Sequence, residues 1–139
     1  MRSRLEDFGI VYFGNDWFAE NRTSSHHVAR RLAQRTKVLY IDTPGLRAPK
    51  ATGRDLHKLR RKLVQAAAKP RQVADRLWHV SMPQVPFRRL PAINNLNRAA
   101  GRFLVKRALR QLGFGPTISW FAVPHPGPLA GTLDESLIV

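Results

Sequence analysis

The chain has 139 residues, 43% of them hydrophobic, which suits one domain with its own core and excludes wholesale disorder. It has no cysteine, which excludes disulfides, thiol chemistry and Cys-ligated metal sites; no apolar run reaches the roughly 20 residues of a membrane span. Lys and Arg number 24 against nine Asp and Glu, a net charge of +15.

That charge is unevenly spread. Residues 1–42 hold seven Lys or Arg against five acids, residues 43–112 hold 17 against two, and residues 113–139 hold none against two. The middle of the chain therefore carries the whole excess, a field that attracts nucleic acid, anionic lipid or an anionic substrate. The N-terminus starts basic like a signal peptide, but Glu6, Asp7 and Asp16 crowd its apolar stretch, so a cytoplasmic location is expected.

In chain order, Gly9 to Phe13 reads as a short buried strand closed by Gly14 and Asn15. A helix follows near 24–35, with Thr23, Ser24 and Ser25 as possible caps and Val28, Ala29, Leu32 and Ala33 as its apolar stripe. Lys37 to Ile41 is the clearest strand, and Asp42-Thr43-Pro44-Gly45 supplies turn chemistry after it. A second helix is expected near 52–69, with Leu56, Leu59 and Leu63 opposite Lys58, Arg60, Arg61 and Lys62. Leu77 to Met82 forms a third strand, then comes a loop punctuated by Pro83, Pro86 and Pro91. A long helix is expected near 93–112, with Gly113 where a C-cap glycine belongs. Thr117 to Val123 is a fourth strand and Leu137-Ile138-Val139 the opening of a fifth. This alternation predicts a three-layer α/β unit with a parallel sheet. A fifth strand that has barely begun makes the chain read as the front part of something longer.

In such a sheet, ligands collect beyond the carboxyl ends of the strands, where the loop Gly14 to His27 falls. It holds Asn15, Asp16, Trp17, Glu20, Asn21, Ser24, His26 and His27, yet neither GxGxxG nor GxxxxGK[ST] spacing, which disfavours a standard nicotinamide or P-loop site. No cofactor is expected. His26 and His27 are adjacent and point about 100° apart on a helix, so no metal site is expected of them. They read either as polar residues of the first turn or as a base or phosphate donor of near-neutral pKa. Trp17 either packs over the sheet edge or faces a ligand. Asp42 could mimic a ribose-binding acid, but without the glycines it reads as a turn-former or helix cap. His57 and His79 read as structural or solvated. His125 sits in a Pro-Gly-rich loop after the fourth strand, at the same end as the first loop. Lys58, Arg60, Arg61 and Lys62 fit an interfacial helix on anionic lipid, and equally a surface helix packed on a sheet.

The run from Val11 to Pro49, with its Asp16-Trp17 loop, its Ser/Thr- and His-bearing helix start, its second strand and its Gly45-Leu46-Arg47-Ala48-Pro49 turn, carries a resemblance. It resembles the start of bacterial two-domain glycosyltransferases of the GT-B architecture, group 1/4-like, that build surface or extracellular polysaccharide. Residues 117–139 resemble that family more weakly. The resemblance implies an N-terminal, acceptor-side Rossmann-like domain spanning residues 1–139, truncated at the start of its fifth strand. A nucleotide-sugar donor would be held by a C-terminal domain that the sequence lacks, and the acceptor would be a glycan or lipid-linked glycan. Asp16, His26 and His27 would then be candidates for base or orienter, and Asn15, Trp17, Ser24 and His125 for acceptor binding. The isolated chain would have little or no transferase activity. Peripheral attachment to the inner face of the plasma membrane is a further expectation. The alternatives are a basic nucleic-acid-binding domain and a non-catalytic scaffold docked on membrane or a partner.

Overall fold

The computed structural model describes residues 4–15, 17, 24–42, 70–81, 91–122, 130–131 and 133–139. Asp16, His125 and the expected helix with Lys58, Arg60, Arg61 and Lys62 lie outside the described residues. The elements are β1 (Gly9–Gly14), α1 (Ser24–Ala33), β2 (Val38–Asp42), β3 (Arg71–Ala74), β4 (Leu77–Ser81), α2 (Pro91–Gln111), β5 (Thr117–Phe121) and β6 (Leu137–Ile138).

They form a mixed α/β domain around one six-stranded sheet of order β3-β4-β2-β1-β5-β6. Every neighbouring pair is parallel except β3 with β4. The parallel strands therefore run outward from β1 through β2 to β4, and the chain then crosses back to lay β5 and β6 on the other side of β1. That reversal is the order of a generic Rossmann-like fold.

The register explains the core. Tyr12 lies beside Tyr40 on β2 and Trp120 on β5, and Tyr40 lies beside His79 on β4, so His79, Tyr40, Tyr12 and Trp120 form one row across the sheet. One step along, Val80, Ile41, Phe13 and Phe121 form the next row, which points to the opposite face because side chains alternate along a strand. Ile10, Tyr12, Val38, Tyr40, Leu77 and Ile118 pack with Ala29 and Ala33 of α1. Val11, Phe13, Leu39, Ile41 and Val80 pack with Val105, Ala108 and Leu109 of α2. Each face of the sheet thus has its own helix. β1 and β2 are buried along nearly their whole length because both their faces are covered.

The helices end by local chemistry. Residues 34–36 leave α1 in a tight turn, with the amides of Gln34 and Arg35 donating to the carbonyls of Arg31 and Leu32. α2 starts at Pro91, earlier than the expected residue 93, because the first helical position tolerates a proline whose missing N–H would be unpaired there anyway. It stops in a Schellman turn. Gly113 takes φ +69°, its amide donates to Arg110 O at 3.2 Å, and the Phe114 amide donates to Leu109 O at 3.0 Å.

Two expectations need correction. β2 continues through Asp42, so that residue belongs to the strand and not to a turn or helix cap. β3 was not expected. It is an antiparallel edge strand joined to β4 through Asp75 and Arg76, the latter at φ +58°. Its residues, Arg-Gln-Val-Ala, lack the continuous apolar run that marks the central strands, since an edge strand faces solvent on much of its surface. The strand read at Leu137-Ile138-Val139 is present as β6, parallel to β5.

Candidate functional site

Strand order reverses at β1 and β5, and open parallel sheets bind ligands beyond the carboxyl ends of the strands at such a reversal. The two strands stay together to that end, with the Ala122 amide donating to Phe13 O at 2.9 Å. The loop leaving β1 begins on Gly14, which lies beside Asp42 in register; a Cβ at this position would overlap the Tyr40 ring. Glycine is required here by that close approach. Asn15 follows and is exposed, and its carbonyl accepts a hydrogen bond from Tyr40 Oη at 2.6 Å.

Trp17 turns back onto the sheet and is only 6% exposed. Its ring meets Tyr40 edge-on at 4.9 Å and the His26 ring at 5.0 Å between centroids, and the Arg30 guanidinium lies 5.4 Å from its centre. Its peptide groups are held from both sides. The amide donates to Asp42 Oδ2 at 2.9 Å, and the carbonyl accepts from His26 Nε2 at 2.8 Å.

Asp42 is the hub. It is 1% exposed, and its two oxygens take three protein donors: Ser81 Oγ on Oδ1 at 2.8 Å, with His79 Nε2 and the Trp17 amide on Oδ2, each at 2.9 Å. Burial is the largest influence on this carboxyl and pushes its pKa up. The hydrogen bonds from His79, Trp17 and Ser81, with the charge of His79, outweigh it and leave the group below its ordinary value. A carboxylate with these partners ties β2 and β4 to the β1 loop. At 1% exposure it presents no oxygen to a ribose, so the dinucleotide-type role for Asp42 is not available in this arrangement.

Among the expected site residues, the structure brings Trp17 and His26 into contact and places Asn15 one residue beyond β1. Ser24 is the exposed first residue of α1, and His27 is exposed on the same helix. His26 is fully buried, and its Nε2 proton is committed to the Trp17 carbonyl, so from this position the imidazole orients the loop. Sequence reasoning missed Ser81 as a partner, and His79, read as structural or solvated, is structural, buried and bonded to Asp42. The signal for them was period two: both lie on one face of β4, beside Tyr40 and Asp42, and a buried acid at a strand end needs donors there. No three His, Asp or Glu side chains among the described residues converge as metal ligands do.

At the opposite end of the sheet, a cavity of about 320 Å³ is lined by Phe8, Arg35, Lys37, Arg76 and Phe114, with Glu6 and Asp7 beside the cations. Both signs of charge line it, and it lies at the amino ends of the strands, away from the β1 loop. No helix among the described residues is long and apolar enough to cross a membrane. Compared with known proteins, the chain matches no family model, no curated protein and no solved structure.

Proposed function

We propose that the chain is the acceptor-side, N-terminal Rossmann-like domain of a GT-B-type glycosyltransferase of surface polysaccharide synthesis. A nucleotide-sugar donor is held by a second domain, and the acceptor is a glycan or lipid-linked glycan. The observation that carries the reading is the position of the β1 loop. A stretch rich in sugar-binding residue types leaves the sheet where its strand order reverses. The resemblance of residues 11–49 to that family supports it. In this reading Asn15, Asp16, Ser24 and His27 meet the acceptor, with Asp16 or His27 as base. His26 orients the loop through Trp17, and His125 is a further candidate for acceptor binding. An acceptor hydroxyl attacking a sugar needs a positioned proton acceptor and a fixed approach, and this loop offers both residue types.

The test is ligand mapping by amide chemical shifts on the whole chain. Acceptor-type oligosaccharides should perturb Asn15, Ser24 and His27, while nucleotide sugars should leave them in place. In a protein joining this domain to a donor-binding domain, Asp16→Asn and His27→Ala should each cut turnover at least tenfold at unchanged Tm, about 1.4 kcal/mol in the transition state. Perturbation by nucleotide sugars alone, or undiminished turnover in both variants, overturns the reading.

A further inference from the structure

The outer face of α2 carries an unusual combination. Its 21 residues contain no Asp or Glu. Phe103 is 57% exposed, the most exposed large hydrophobic side chain among the described residues. Helical spacing puts Lys106, Arg107 and Arg110 on the same side as Phe103, three, four and seven residues on, and Ala99 and Ala100 four and three residues before it. Ala99, Ala100, Arg107 and Arg110 are exposed, as are Arg98 and Arg102. Lys106 is partly buried and bonds Asp134 at 2.8 Å. The inner side of the helix is satisfied by Val105, Ala108 and Leu109 in the core. A short apolar strip, Ala99-Ala100-Phe103, thus lies outward within a cationic surround.

We infer that this face of α2 docks on an anionic lipid surface, with Phe103 inserted at the headgroup boundary and Arg102, Arg107 and Arg110 on lipid phosphates. Charge complementarity sets the sign of the partner. The apolar strip selects lipid over nucleic acid: a helix read in a duplex groove turns hydrogen-bonding side chains to the bases, and a single-strand platform needs a series of stacking rings. A lone aromatic between small residues and arginines is the pattern of an interfacial helix. The surface is the outer side of α2, whose inner side packs on the sheet, so the inference does not rest on the transferase reading.

The experiment uses the whole chain with vesicles of phosphatidylcholine alone and of phosphatidylcholine with 30% phosphatidylglycerol. Co-sedimentation should appear only with the anionic vesicles and fall at least tenfold when salt rises from about 0.15 M to 0.5 M, as exposed charges are screened. Phe103→Ala should weaken it at least threefold, and Arg107→Glu with Arg110→Glu should remove it, with Tm unchanged since these side chains are exposed. A Phe103→Trp variant should shift its emission to the blue on anionic vesicles and be quenched by brominated lipid. Equal binding to neutral vesicles, or anionic binding that both sets of variants leave intact, overturns the proposal. So does tighter binding to duplex DNA that depends on Phe103.

Discussion

Along β1 the side chains alternate between two environments of different character. Val11 and Phe13, with Leu39, Ile41 and Val80 beside them, pack with apolar side chains of α2 and with Leu133. Ser119, beside Val11 in register, is a buried polar neighbour on that face whose Oγ has no hydrogen-bond partner among the described residues. Ile10 and Tyr12 share the other face with α1, and that face changes along the strands. It begins at the amino end with Leu77, Val38, Ile10 and Ile118 in one row, passes through His79, Tyr40, Tyr12 and Trp120, and ends at Ser81, Asp42 and Gly14. Apart from Ser119, one face is a uniform apolar core. The other grades from aliphatic to aromatic to polar toward the carboxyl ends of the strands, so the same strands supply stability on one side and carry the candidate site on the other.

The comparison can be broken by substitutions on each face. The largest effect belongs to the uniform one. Phe13 is 1% exposed and stacks on Phe121 at 4.5 Å, so Phe13→Ala should cost about 3–5 kcal/mol by urea denaturation, through lost burial and a cavity. Gly14→Ala, at the polar end of the other face, should cost less, about 1–3 kcal/mol, because the Tyr40 ring must move aside. If Gly14→Ala proved the more damaging, the graded face would be the stronger support of the fold.

Much of this division was legible in the sequence. Strong apolar runs at residues 9–13 and 37–41 define strands buried on both faces, and small residues in α1 mark a helix lying close to the sheet. What period and composition could not supply was cross-strand register. Asp42 looks like a turn residue until β4 is laid beside it, and His79 looks structural or solvated until it shares a face with Tyr40. β3 escaped because its pairing comes from the free edge of β4 and not from its own Arg-Gln-Val-Ala pattern. Phe103 lies among Leu96, Ala100, Leu104 and Ala108 in the sequence of the long helix, and only the packing shows that it faces out.

Acidification sharpens the comparison further. The folded state holds the Asp42 carboxyl below its ordinary pKa, so ionised Asp42 adds stability that is complete above the unfolded-chain value. That contribution is lost as pH falls from the ordinary carboxylate range through the lower folded value. Urea midpoints measured from pH 7 downward should therefore decline in that window. Asp42→Asn, which keeps an acceptor for the Trp17 amide, should flatten this part of the decline. A wild-type-like profile in the variant would mean that other carboxylates set the acid response and that the hub is electrostatically silent.

The smallest effect expected is that of Tyr40→Phe. The ring is fully buried, stacked on Tyr12 at 5.4 Å and met edge-on by Trp17, and phenylalanine keeps those contacts. Only the hydroxyl goes, and with it the 2.6 Å bond to the Asn15 carbonyl. Asn15 is exposed, so water can reach the carbonyl that loses its partner, which holds the cost to about 1 kcal/mol. That cost should be local. Amide hydrogen exchange at Asn15 and Trp17 should speed up severalfold, while Leu39, in the centre of the sheet with its side chain on the α2 side, keeps its protection. A uniform rise at all three amides would show that the hydroxyl supports the whole sheet. Faster exchange confined to the loop would show that the graded face holds its site by bonds the uniform face does not feel.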